Sequence, residues 1–144
     1  MADAATRRQF LGFSLGATTA VLARPTIALA HAKERSIALY NAHTGESVKT
    51  VYWANGDYVN DSLVEISRLL RDYRTEDVIP IDPRLIDTLY RLRRKVGTRR
   101  PYQVVSGYRS PITNAILRKN NSRVAKNSYH MSGLAVDAYL PKVE

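Results

Sequence analysis

The chain has 144 residues, with 22 Lys and Arg against 13 Asp and Glu, a formal charge of +9 and no cysteine. That length suits one small domain, and the missing cysteines exclude both a disulfide framework and thiolate metal ligands, so any metal must be held by His, Asp or Glu. The positive excess favours an anionic partner, because a field of one sign concentrates the other.

Taken from the start, Thr6-Arg7-Arg8-Gln9-Phe10-Leu11 is a twin-arginine pattern, an apolar run from Leu11 to Leu22 follows, and Ala28-Leu29-Ala30 is a small-x-small cleavage signal. Together they describe a twin-arginine signal peptide over residues 1–30, export to the periplasm and a folded domain over residues 31–144. The apolar run is well short of the roughly 20 residues that span a bilayer, so no stable membrane span is expected after cleavage. With Arg7, Arg8 and Arg24 set against Asp3, residues 31–144 keep +7. In an exported protein the partners expected for that charge are acidic stem peptides of the cell wall and anionic lipid, not nucleic acid.

Ser36 to Tyr40 and Lys49 to Trp53 read as strands joined through Asn41-Ala42-His43-Thr44-Gly45-Glu46, and Asn55-Gly56 marks a tight turn. This pair is expected to form a lid or edge ribbon. Leu63, Ile66, Leu69, Leu70 and Tyr73 recur at helical spacing, with Ser62 and Glu65 in the form of a capping box. A second helix is capped by Asp82, opened by Pro83 and closed by Gly97, with Leu85, Ile86, Leu89, Leu92 and Val96 as its apolar stripe. Tyr102 to Val105 reads as a buried strand leading into Ser106-Gly107-Tyr108-Arg109-Ser110-Pro111, where a third helix opens and runs to about Lys119. A polar, basic loop from Asn120 to Asn127 precedes Ser128-Tyr129-His130, and Leu134 to Leu140 is the last strand. The expected class is α+β, with helices packed on one side of a small, mainly antiparallel sheet.

His130 lies in the loop that feeds the last strand through Gly133, and Asp137 lies in that strand, so their side chains can converge on one point. Ala135 keeps the inward face small, and the Ser128 hydroxyl is placed to orient the histidine loop. Spacing alone leaves two readings open, a shared metal ion and a structural His–Asp hydrogen bond. A zinc site that does chemistry needs three protein ligands and an open position, and this segment supplies two. His43 is a third candidate if the ribbon folds over the site, although a Thr-Gly turn makes a surface role the default. Arg109 follows a turn that aims side chains across the sheet end, where a guanidinium can hold a carboxylate or an oxyanion; the alternative is a solvated surface charge. The cluster Arg91, Arg93, Arg94, Lys95, Arg99 and Arg100 reads as a solvated face, with nucleic-acid binding opposed by the export signal.

Ser-Gly-Tyr-Arg-Ser at 106–110 followed by Ser-x-His-x-x-Gly-x-Ala-x-Asp at 128–137 resembles the zinc D-alanyl-D-alanine peptidase superfamily and, within it, the murein endopeptidase K family. Asn41-Ala42-His43-Thr44-Gly45-Glu46-Ser47, Arg71-Asp72-Tyr73-Arg74, Ile81-Asp82-Pro83 and Leu89-Tyr90-Arg91-Leu92 extend the likeness along the domain. The resemblance implies that His130 and Asp137 bind Zn2+, that Arg109 contacts the substrate or its transition state, and that the protein is a periplasmic hydrolase of cross-links between peptidoglycan stem peptides. It also implies a third histidine ligand in a later strand with an acidic general base close by. Only Ala138 to Glu144 follow Asp137 and none matches, so the domain is expected to be C-terminally incomplete, with its last strand missing. Two functions stay open: a zinc-dependent peptidoglycan peptidase, and a non-catalytic or inactive truncated module that binds the cell wall.

Overall fold

Ile37, Leu39 and Asn41 are buried while Ser36, Ala38 and Tyr40 between them are partly exposed, the period-two pattern of a strand with one face on a core. They belong to β1 (Glu34–Asn41) in the computed structural model, which describes residues 34–141. The signal peptide expected over residues 1–30 lies outside the described residues. β1 pairs antiparallel with β2 (Ser47–Ala54), Leu39 opposite Val48, and a bulge falls between Arg35 and Ser36. The connecting turn is closed by the Asn41 carboxamide, whose Oδ1 accepts from the amides of His43 (2.9 Å) and Thr44 (3.3 Å).

Asn55 and Gly56 both take positive φ, the requirement of a two-residue hairpin, and lead into the short β3 (Asp57–Tyr58). Helix α1 (Asn60–Leu69) then packs on β2. The expected capping box is not formed. Val59 is the cap residue, and Ser62 is buried inside the helix with its hydroxyl on the Val51 carbonyl (2.8 Å), a stronger call on that group than an amide at a solvated helix end. Tyr73 falls outside the helix, because Asp72 and Asp77 bridge across a tight corner after Leu70.

Helix α2 (Pro83–Val96) starts and stops where its local signals put it: Asp82 Oδ1 accepts from the Arg84 amide (2.8 Å) and Gly97 takes the left-handed conformation. Its stripe is only half used. Ile86 and Leu89 are buried, whereas Leu92 is 48% and Val96 61% exposed. The core under α2 is closed at Leu89 by Tyr102, whose hydroxyl donates to the Leu89 carbonyl (2.9 Å).

The α2 crossover brings β4 (Tyr102–Ser106) back parallel to β1, with Leu39 opposite Tyr102, as a crossover connection permits. The sheet order is β3-β2-β1-β4-β5, so the fold is α+β with a mixed five-stranded sheet: three antiparallel pairs and one parallel. The ribbon expected as a lid or edge is therefore the middle of the sheet. One core unites Ile37, Leu39, Val48 and Tyr52 of the hairpin, Ile66 and Leu69 of α1, Ile86 and Leu89 of α2, and Tyr102 and Val104 of β4.

Inside that core Asp87 of α2 accepts from Arg35 (2.7 Å) and from the hydroxyls of Tyr52 and Tyr58 (both 2.9 Å), tying three strands to one helix. Burial pushes the Asp87 carboxyl up, but these three donors outweigh it and hold it below the ordinary aspartate range. Arg35 also stacks on Trp53, its guanidinium carbon 4.2 Å from the ring centre, so that tryptophan packs structurally.

Helix α3 (Pro111–Asn120) begins at its Ser110 cap as expected. The last strand, β5 (Asp137–Tyr139), is shorter than the expected Leu134 to Leu140. The amide of Leu134 and the carbonyl of Gly133 are already engaged, with Tyr129 and Asp82 respectively (both 3.1 Å), so the ladder with β4 begins only at Asp137. No described helix is long and apolar enough to cross a membrane.

Candidate functional site

Three of the sequence-nominated residues, His130, Asp137 and Arg109, lie at the C-terminal end of β4. As the chain leaves Ser106 it passes so close to the corner after α1 that a Cβ on Gly107 would overlap the Leu70 carbonyl oxygen and meet the Leu70 Cα and C at 2.9 Å. Tyr108 donates its amide to that same carbonyl (2.6 Å). Two residues on, the amide of Ser110 is held by Asp72 Oδ2 (2.9 Å), while Asp72 Oδ1 accepts from the Arg74 amide (3.1 Å). Asp72 is 1% exposed. Burial raises its pKa, yet bonds from Thr113, Ser110 and Arg74 outweigh burial and keep it ionised below the usual range.

Onto this rigid loop the histidine segment docks. Ser128 opens a single 3-10 turn, Tyr129–Ser132, its hydroxyl accepting from the His130 amide (3.4 Å), and Gly133 closes it in the left-handed conformation. The backbones of the two loops are joined by the Arg109 amide donating to the His130 carbonyl (3.2 Å). The imidazole is set by Gly107: His130 Nδ1 lies 2.8 Å from the Gly107 carbonyl oxygen. A carbonyl only accepts, so Nδ1 carries a proton, and in the neutral imidazole Nε2 presents a lone pair.

Nε2 faces Asp137 Oδ2 at 3.4 Å. That separation is within ion-pair reach of a protonated imidazole and longer than the roughly 2.7–3.2 Å typical of an N–H···O hydrogen bond. It matches the edge of a tetrahedral zinc site, where ligands about 2.0–2.1 Å from the metal stand about 3.4 Å apart. The donor chemistry fits as well, since a ligating histidine characteristically donates its other ring N–H to a carbonyl or carboxylate. The His130 side chain is 12% exposed and that of Asp137 59%, so the pair is anchored on one side and open to solvent on the other. Arg109 is half-buried, with Nη2 3.5 Å from the hydroxyl of Ser106, the residue opposite Asp137 in the ladder. His130, Asp137 and Arg109 are thus brought to one sheet end.

His43 is not. Its ring stacks on Tyr73, centroids 4.2 Å apart and planes within 16°, with the Arg74 guanidinium 4.2 Å from the Tyr73 ring. Among the described residues no three His, Cys, Asp or Glu side chains group around one point. The sequence reading missed the two groups that orient the site. A backbone carbonyl such as that of Gly107 has no side-chain signature, and Asp72 sits within Arg71-Asp72-Tyr73-Arg74, outside any periodic pattern that would have marked it as buried.

Comparison with known proteins gives a consistent picture. The family model described as Peptidoglycan L,D-endopeptidase MepK matches residues 29–144. Peptidoglycan L,D-endopeptidase MepK of Escherichia coli K12 is 43% identical over 140 residues, covering 94% of this chain and 76% of that protein. The probable MepK of Haemophilus influenzae is 36% identical over 106 residues, 73% of this chain and 57% of its own. No solved structure matches the chain at a significant level.

Proposed function

The chain belongs to the MepK family of peptidoglycan L,D-endopeptidases, and from that premise we propose that it is a zinc peptidase that hydrolyses L,D cross-links between peptidoglycan stem peptides, with His130 and Asp137 as metal ligands. The observation that carries the metal assignment is the convergence of His130 Nε2 and Asp137 Oδ2 at 3.4 Å, with Nδ1 committed to the Gly107 carbonyl. When bound, zinc supplies Lewis acidity, lowering the pKa of a coordinated water to about 7 and polarising the scissile carbonyl.

The chain's own groups supply the rest. Gly107 keeps the His130 tautomer that leaves Nε2 free, and the loop pinned by Asp72 keeps Gly107 in place. Arg109, with no carboxylate partner among the described residues, is available to the substrate; its guanidinium neutralises charge that develops on the carbonyl oxygen as water adds. A catalytic zinc site takes three protein ligands, so this reading requires one from outside the described residues. The leader motif at Arg7-Arg8 supports a periplasmic location, which fractionation of tagged full-length protein tests directly.

The deciding experiment incubates the purified chain and zinc with cell-wall sacculi. Release of soluble muropeptides, lost with a chelator and in His130→Ala and Asp137→Ala, is the expected result. Retention on sacculi without release, in the presence of zinc, would reject hydrolysis and assign a wall-binding module instead.

A further inference from the structure

Charge is distributed unevenly along the chain. From residue 88 to residue 136 there is no Asp or Glu, while eleven of the 22 Lys and Arg fall in that stretch. Six of them are packed between Arg91 and Arg100, on the last turns of α2 and the loop that follows. Arg91, Arg94, Lys95 and Arg99 are exposed, and none of them forms an ion pair among the described residues. Next to Lys95, with Arg91 further round the same side, α2 presents Leu92 and Val96, one helical turn apart and about half exposed, the part of its stripe that runs beyond the core; Arg94 lies on the opposite side of the helix, by the Tyr90 ring. Beside them a cleft of about 520 Å³ is lined by Lys49, Arg93 and Arg99.

Exposed aliphatic side chains flanked by Lys and Arg on a helix are the composition of a segment that lies in a membrane interface. A soluble acidic partner would account for the cations but not for Leu92 and Val96. We propose that the C-terminal end of α2 and the loop to Pro101 form a docking surface for an anionic bilayer. Leu92 and Val96 enter the headgroup region, Arg91 and Lys95 meet lipid phosphates, and the cleft of Lys49, Arg93 and Arg99 seats one phosphate. The surface lies at the N-terminal end of β4 and the His130–Asp137 pair at its C-terminal end, so docking leaves the candidate active site uncovered. This surface goes beyond the hydrolase reading and does not depend on it.

Co-sedimentation of the full-length chain with vesicles tests it. Binding is expected to phosphatidylcholine vesicles containing one quarter phosphatidylglycerol and not to phosphatidylcholine alone, and to weaken as salt screens the surface. Arg91→Gln with Lys95→Gln should weaken binding about thirty-fold for the two charges removed, and Leu92→Ser with Val96→Ser about tenfold for the half-exposed apolar area. Because all four side chains are exposed, circular dichroism should show both variants folded. Binding that both double variants leave unchanged would assign the contact to another segment and overturn the proposal. So would equal binding to neutral vesicles, or loss with the charge variant alone together with equal competition by soluble DNA, which marks a general polyanion site.

Discussion

Replacing Gly107 by Ala probes the site and the fold together. The added Cβ overlaps the Leu70 carbonyl oxygen and stands 2.9 Å from two further backbone atoms, where ordinary contact begins near 3.4 Å, so the 106–110 loop and the corner after α1 must part by at least about 0.5 Å. Neither partner is a side-chain end that can swing aside. The 2.6 Å bond from Tyr108 to Leu70 is strained or lost, costing about 1–3 kcal/mol for a buried pair, and overpacking adds about 1–3 kcal/mol. The expected loss is about 4 kcal/mol. Gly97→Ala is the control, because nothing lies within 4 Å of its Cβ and only its φ of +74° opposes a side chain, a penalty of about 1–2 kcal/mol. Urea unfolding followed by circular dichroism measures both. Equal losses in the two variants would refute the claim that the loop is wedged against Leu70. Zinc titration of folded Gly107→Ala should in addition show weaker uptake, since the carbonyl that sets the His130 ring moves with the loop.

Asp87→Ala removes the acceptor of Arg35, Tyr52 and Tyr58 at once, and should cost about 3 kcal/mol in urea unfolding, near the low end for a broken buried pair because Arg35 is partly solvated; a loss under about 1 kcal/mol would show the network is dispensable. Asp72 and Asp87 both have depressed pKa values in the folded state. Their contribution is therefore complete above the unfolded aspartate value of about 3.9 and is lost as pH falls through the lower folded values. The urea midpoint should fall below about pH 4 in the parent and less steeply in Asp72→Asn, and an unchanged slope would count against Asp72 as an ionised anchor. Arg109→Lys keeps the charge but loses the planar fork, so muropeptide release should drop about 10²-fold, mainly in kcat, with zinc uptake intact; a change confined to KM would place Arg109 in ground-state binding only.

How much could be read in advance follows from the range of each interaction. Helices α2 and α3 were legible to the residue at their starts, because Asp82-Pro83 and Ser110-Pro111 act through bonds two or three residues away. Ser62 was misread as a cap because its hydroxyl partner, the Val51 carbonyl, belongs to a strand that only the fold brings near. The central place of β1 was hidden for the same reason: local pattern says that a segment is a strand, not which neighbours it takes. At the site, His130 and Asp137 were nominated by their spacing and Arg109 by the turn before it, and the structure brings the three to one sheet end. The Gly107 carbonyl and the Asp72 carboxylate that orient them act through backbone amides and a corner, and neither leaves a periodic trace.

Helix α2 has one more consequence. Its first turn is fastened to the histidine segment, the amide of Asp82 donating to the Gly133 carbonyl at 3.1 Å, and its last turn carries the cationic end. Fourteen residues at 1.5 Å each make a strut of about 21 Å between the two. The helix therefore holds the histidine segment and the cationic end at a fixed separation, with no hinge between them.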